Sequence, residues 1–236
     1  MSAITLTFGC QAENGVGMQK LGRLSKHGWS VAELEALAAQ WDGTELVHLG
    51  DAAAVLVLRH GVEALGVEPD ELESCLLGLD WDKKCWMRGR VVNKRARWNL
   101  CFAHEAQESN FANKKGTVVS YDDVPLLGGL RGSLETLFIG GSDLQCEGNY
   151  YYDAAKCGIG FHGDAERKKV IGLRLGTPIP LVFQWYQKGE RVGAMTRIDL
   201  HHGDMYIMSE KATGFDWKKR NVKTLRHAAG CEKYIK

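Results

Sequence analysis

The sequence is short of several things, and each shortage narrows its reading. No apolar run approaches the roughly 20 residues of a membrane-spanning helix; the longest strongly apolar stretch is Ala52–Leu58. The opening MSAITLTFGCQAENG has no basic segment followed by a long apolar one, so no secretory signal is expected. Seven cysteines, at positions 10, 75, 85, 101, 146, 157 and 231, are odd in number, scattered and without a CxxC pair. Such usage offers neither a zinc site nor a disulfide framework; it reads as a reduced intracellular protein, cytoplasmic or nuclear, with no membrane partner. No internal repeat, linker, P-loop or dinucleotide-binding glycine pattern is present. Charged residues make up 25% and hydrophobic residues 44%, ordinary globular values that exclude a disordered or fibrous chain.

What is present is unevenly spread. The net charge of +1 over 236 residues divides into −9 for residues 1–82 and +10 for residues 83–236. Either the second part meets an anionic partner such as nucleic acid, or the two parts face and neutralise each other. Lys83–His104 holds no acid, and interleaves Lys83, Lys84, Arg88, Arg90, Lys94, Arg95 and Arg97 with Trp86 and Trp98. Cations supply phosphate contacts and flat rings supply stacking surfaces, although a solvated face with tryptophans turned inward has the same composition.

Periodicity divides the chain at about residue 82. Ile4–Phe8, Glu45–His48 and Ala53–Arg59 read as strands. Val16–Lys26 has helical spacing, Ser30 is a good N-cap for a helix over Val31–Gln40, and Pro69 opens another to about Leu77. Residues 1–82 are therefore expected to form a small acidic α/β unit supporting the rest. From Val118 on, short strands dominate: Leu144–Tyr152, Ile159–His162, Lys169–Leu175, Leu181–Tyr186, Met195–Leu200, Met205–Met208 and Thr224–Ala229. Many short strands at regular spacing predict a sandwich or barrel over 83–236, and an α+β chain overall.

Among eight histidines, His162 stands in an HxD triplet, His162-Gly163-Asp164, at the end of a strand after a glycine-rich stretch. His227 lies 65 residues on, in another strand. Two imidazoles and one carboxylate are the ligand set of non-haem Fe(II) oxygenases, and residues i and i+2 of a strand project the same way.

The stretch EGNYYYDAAKCGIGFHGDAERKKVIGLRLG, residues 147–176, resembles the AlkB-like branch of the Fe(II)/2-oxoglutarate-dependent dioxygenases. The matching elements are Asn149-Tyr150-Tyr151, the turn Asp153-Ala154, Ile159-Gly160-Phe161-His162-Gly163-Asp164-Ala165-Glu166 and the strand Val170–Gly176. Pro180–Gln184 and Leu200–Ser209 follow in order, so the resemblance covers about residues 95–229. It implies a double-stranded β-helix (jelly-roll) core, with His162, Asp164 and His227 holding Fe(II) and serving as the catalytic centre. It implies Asn149 and Tyr151 as contacts to 2-oxoglutarate, with Tyr150 or Tyr152 in place of Tyr151 if the register slips by one. O₂ is the third reactant, and the reaction hydroxylates a substrate while 2-oxoglutarate yields succinate and CO₂. On an N-methylated base that amounts to demethylation.

Two departures follow. Asp204 and His227 are 23 residues apart, where the family usually has about fifteen, with GFDWKKRN between them. The family's arginine for the cosubstrate carboxylate lies beyond the second histidine; here that stretch holds only Lys233 and Lys236, so Lys233 is favoured, with Arg174 and Arg226 as other possibilities. Around the insertion, Trp217, Lys218, Lys219 and Arg220 form a second basic, aromatic cluster that suits a phosphate clamp or a plain surface loop. Glu166 suits a substrate contact or a surface ion pair. The substrate expected is a nucleic-acid base or nucleotide. The alternatives are a small molecule, amino acid or protein side chain on the same fold, and a non-catalytic nucleic-acid-binding relative.

Overall fold

The first strand, β1 (Ala3–Gly9), alternates: Ile4, Leu6 and Phe8 share one apolar core, and Thr5 and Thr7 between them face the other way. In the computed structural model, which describes residues 1–137 and 143–236, β1 occupies the interior of a sheet rather than an edge. The sheet has eight strands, in the order β4 (Thr44–Gly50), β5 (Ala53–Leu58), β15 (Met205–Met208), β12 (Val170–Gly176), β1, β10 (Gln145–Tyr151), β8 (Trp98–Ala103) and β9 (Val118–Ser120). All neighbours are antiparallel except β8 and β9. A second sheet has four antiparallel strands in the order β11 (Gly158–His162), β16 (Thr224–Gly230), β13 (Ile179–Gln187) and β14 (Glu190–Leu200). Neither sheet closes on itself. Two small hairpins, β2 (Gln11–Glu13) with β3 (Lys20–Gly22) and β6 (Lys84–Met87) with β7 (Arg90–Asn93), complete the strands.

The helices are few: α1 (Val31–Ala38), α2 (Gly61–Ala64), α3 (Pro69–Leu77), α4 (Pro125–Leu137) and α5 (Glu232–Ile235). Helix α1 starts where the sequence signals it, with Ser30 and Glu33 forming a reciprocal capping box. Leu34, Leu72, Leu76, Leu127, Leu130 and Leu134 bring α1, α3 and α4 onto Ile4, Leu6 and Phe8, so helices cover one face of the large sheet. On the other face, Val55, Val57, Val170, Tyr206 and Met208 pack with Leu181, Phe183, Trp185 and Leu225 of the small sheet. Strand β5 is apolar at every position because both of its faces are covered. The class is α+β, dominated by antiparallel strands.

Two expectations meet the structure differently, and one helix had no expectation at all. The division at residue 82 runs across one sheet: β1 pairs with β10 and β12, and β5 pairs with β15. Val16–Lys26 is not a helix. It carries the β2–β3 hairpin, where Gly15, Gly17 and Gly22 take positive φ and Val16 and Leu24 are exposed. Helix α4 was not foreseen; its three glycines hide the leucine spacing. Among the described residues, no helix is long and apolar enough to cross a membrane.

Candidate metal centre

His162 ends β11, and His227 sits directly opposite it on β16. Phe183 of β13 is the next residue across the small sheet, so both imidazoles rest on a sheet paired on both sides of β16. Gly163 carries the chain from His162 to Asp164 through a space with no room for a side chain. A Cβ there would lie 2.1 Å from the Gly214 carbonyl oxygen and 2.7 Å from Trp217. The middle position of this HxD is thus glycine for steric reasons.

The three side chains converge, with ligand atoms all within 4.8 Å of one another. Oδ1 of Asp164 lies 3.6 Å from Nε2 of His162 and 3.6 Å from Nε2 of His227, too far for a hydrogen bond to either. The His162 Nδ1–H donates to the Gly160 carbonyl at 2.8 Å, which leaves an Nε2 lone pair aimed at the carboxylate. Burial, together with the neighbouring His227, pushes the His162 pKa down to about 3, so at neutral pH this imidazole is uncharged. Burial alone would raise the Asp164 pKa, but His227, Arg167 and His162 together hold it below the usual carboxylate range. A neutral imidazole lone pair facing a carboxylate oxygen is an arrangement that a cation between them satisfies. The Nδ1 of His227 is buried without a hydrogen-bond partner.

Behind Asp164 runs a buried polar network. Arg167 ion-pairs with Glu147 at 2.6 Å and with Glu166 at 2.7 Å, and approaches Asp164 at 3.9 Å. Burial works against the Arg167 charge, but these three acids raise its pKa well above the ordinary value. Glu147 accepts from the Asn149 amide at 3.0 Å; Asn149 Oδ1 in turn accepts from Asn99 at 2.8 Å and Arg97 at 2.6 Å. The Asn149 side chain, expected at the cosubstrate, is therefore largely committed to this network. Glu166, expected at the substrate, is a partner of Arg167.

Arg174 is the opposite case. It is 1% exposed, on β12, and faces the space between the sheets because its neighbours Leu173 and Leu175 belong to the helix-side core. Its Nε and Nη1 have no hydrogen-bond partner, and it forms no ion pair among the described residues. Burial lowers its pKa against the weaker opposing pull of Tyr151, Tyr206 and Asp204, yet a guanidinium stays charged in a protein. A buried arginine with unmatched N–H groups is costly unless an anion completes it. Tyr151 lies beside it, ring centroid 6.0 Å from the guanidinium. Tyr150 points to the other face of β10, against Trp81, and Tyr152 stacks on Trp98 at 4.4 Å. Of the three tyrosines, Tyr151 is the one that shares a face with Asn149 and Arg174.

The remaining expected residues fall elsewhere. Lys233 is exposed on α5, with its ammonium over the Tyr234 ring. It lines a surface groove of about 420 Å³ with Pro178, Arg197 and Glu232, not the space holding Arg174 and Tyr151. Trp217 packs against Gly163 and under the Arg226 guanidinium, 5.2 Å from its ring, which serves to hold the HxD turn. Lys218, Lys219 and Arg220 project from the same loop into solvent. One contributor was not singled out from sequence, Thr5, whose Cα pairs with Arg174 and whose hydroxyl is buried without a partner; Arg97, named only within the basic run, turns inward onto Asn149. The alternation of Thr5 and Thr7 with Ile4, Leu6 and Phe8 was the available signal for Thr5.

A second acid–histidine group, Asp70, Glu73 and His202, has ligand atoms equally close. There His202 Nδ1 accepts the Gly176 N–H at 2.8 Å, so its Nε2 carries the proton and points at Asp70, 3.2 Å away. No lone pair is left for a metal. The group instead fastens α3 to the end of β12.

The fold and the converging His–Asp–His set describe an α+β protein with a candidate metal centre between two sheets. No family model matches the chain. Over 248 aligned residues it is 48% identical to the uncharacterized protein R156 of Acanthamoeba polyphaga mimivirus, covering 99% of this chain and 97% of that protein. The chain belongs to the family of that viral protein.

Proposed function

We propose that this protein is an Fe(II)/2-oxoglutarate-dependent dioxygenase of the AlkB-like kind, acting on a nucleic-acid base or nucleotide. The observation that carries the proposal is the His162 lone pair held toward Asp164 Oδ1 by the Gly160 hydrogen bond, with His227 completing the set. His162, Asp164 and His227 would hold the metal, which supplies activation of O₂ for oxidation of a substrate C–H bond coupled to decarboxylation of 2-oxoglutarate. Arg174, with its unmatched N–H groups, would take the far carboxylate of the cosubstrate, and Tyr151 and Thr5 would flank it. Arg167 holds Asp164 ionised and fixed in place through Glu147.

Strand order supports the double-stranded β-helix reading and a cosubstrate cation on β12. From β10 to β16 the chain passes between the large and the small sheet: β10, β12 and β15 lie in one, and β11, β13, β14 and β16 in the other. Such a β-helix needs an eighth strand between β10 and β12. On this reading the slot would be taken by β1, which pairs with both β10 and β12. Strand β1 carries threonines there, and the cation stands one strand over, on Arg174, directly across from Thr5.

The test is anaerobic addition of Fe(II) and 2-oxoglutarate, read by the weak visible absorption band of the chelated cosubstrate. The native protein is expected to give the band, His227→Ala none, and Arg174→Met a band only at far higher 2-oxoglutarate. Absence of the band in the native protein overturns the proposal.

A further inference from the structure

The run Lys83–His104 divides in the fold. Lys94 and Arg97 turn inward, onto Asn14 and Asn149. The rest builds an exposed basic surface on the β6–β7 hairpin, whose turn is a tight one, with positive φ at Arg88 and Gly89. Lys84, Arg88, Arg90 and Arg95 are exposed there. A single 3₁₀ turn, Phe111–Asn113, packs on the hairpin and adds exposed Lys114 and Lys115. None of these six cations has an acid partner in an ion pair among the described residues; Lys218, Lys219 and Arg220 are likewise unpaired, but the hairpin and the turn packed on it gather six such cations on one surface. The acids nearest in sequence are exposed Asp80 and buried Asp82, before the hairpin, and exposed Glu105 and Glu108, on the loop leading to the 3₁₀ turn. Beside the hairpin lies a half-buried stack of Trp98 on Tyr152, 24° from parallel, with the Lys83 ammonium 4.7 Å over Trp98. Tyr152 donates its hydroxyl to the Arg95 carbonyl. The Ala96 carbonyl accepts from the N–H of Gly158, the first residue of the strand that ends at His162. The basic surface is therefore joined by backbone to the strand that carries the metal ligand.

We propose that the β6–β7 hairpin and the 3₁₀ turn are a docking surface for the phosphate backbone of a nucleic acid, with the Trp98–Tyr152 stack at its inner margin. Unpaired cations with a flat aromatic margin suit a chain of phosphates and bases better than an acidic peptide, which offers nothing to stack. The surface stands without the metal; only what it delivers to His162 and Asp164 rests on the dioxygenase reading. It also relocates the contact from Lys218–Arg220, which the sequence suggested, to the hairpin.

The experiment is fluorescence anisotropy of a labelled 20-mer oligothymidylate, and of a duplex of the same length, at 50 and 200 mM KCl. The native protein is expected to bind at least one of them, more weakly at higher salt; the tighter arm identifies the form. Arg88→Glu/Arg90→Glu is expected to weaken binding at least 10-fold and to flatten the salt dependence by roughly 0.7–0.9 in log–log slope per lost phosphate contact. Lys218→Glu/Lys219→Glu is expected to change it less than 3-fold. His162→Ala is expected to bind the oligonucleotide normally, so failure of the metal site and failure of this surface are read separately. Three results overturn the proposal: no binding by the native protein, equal loss from the two charge reversals, or competition by polyglutamate as effective as that by unlabelled oligonucleotide. Circular dichroism and thermal melting of each variant separate lost contact from lost fold.

Discussion

The two faces of the large sheet are made from alternate residues of the same strands, yet they are built on different principles. On the helix side, Ile4, Leu6, Phe8, Leu173 and Leu175 form continuous apolar packing. On the other side, the same stretch of β1, β10 and β12 presents Thr5, Thr7, Glu147, Asn149, Tyr151 and Arg174, all buried. Burying polar groups costs free energy that apolar residues would not. That polar face lies beside the three converging side chains of the candidate metal centre. The contrast sharpens within the polar face itself: Arg167 is matched by three acids, and Arg174 by none.

That comparison can be broken experimentally. The largest effect is expected from Asp164→Ala or His162→Ala, which should abolish Fe(II) binding and succinate formation while leaving the melting temperature within a few degrees. A variant that turns over normally would sink the metal assignment. Next, Phe8→Ala on the helix side should cost about 3–5 kcal/mol in urea unfolding, because it opens a cavity in a fully buried core, with metal affinity unchanged in whatever protein remains folded.

The two arginines should then part company. Arg167→Met leaves Glu147 and Asp164 without their buried cation and should cost about 3–5 kcal/mol. Arg174→Met removes a charge that has no partner, so stability should be unchanged or raised by about 1–4 kcal/mol, while 2-oxoglutarate affinity falls at least 100-fold. Equal destabilisation by the two would erase the distinction drawn between them.

The smallest effect concerns Lys94. Its ammonium meets the backbone and side-chain oxygens of Asn14, and burial lowers its pKa to about 8. The folded state therefore releases this proton before the unfolded chain does. Between about pH 8 and the ordinary lysine value of about 10.4, the unfolded state binds more protons and stability rises with pH. Denaturant midpoints of the native protein should rise over that window relative to Lys94→Met, by an amount on the order of 1–3 kcal/mol. A flat difference would place the ammonium in water rather than against Asn14.

Much of this molecule was legible in its residues. The capping box at Ser30, Pro69 at the start of α3 and most of the strands from Ile4 to Ala229 follow from local chemistry, which acts over a few residues. The residues His162, Asp164 and His227 of the candidate site were named through the family resemblance, and the structure brings the three together. Local spacing misled at Val16–Lys26, where glycines at positive φ turn the chain into a hairpin. It could not rank Lys233 against Arg174, because that choice depends on which side chain faces the space beside Tyr151.

Only the tertiary structure placed Arg174 beside Tyr151 and Lys233 at another groove, and for a definite reason. Pairing partners in a sheet are chosen by fit across long stretches of chain, and no residue near β1 announces that it will lie between β10 and β12, more than 130 residues away. That placement puts Thr5 opposite Arg174 and makes β1, β4 and β5 part of the same sheet as Asn149, Tyr151 and Arg174; Lys94 and Arg97 turn inward while their neighbours stay in water. The sequence by itself determined which groups could do chemistry and which segments were strands. The long-range pairing of those strands decided which of the groups meet.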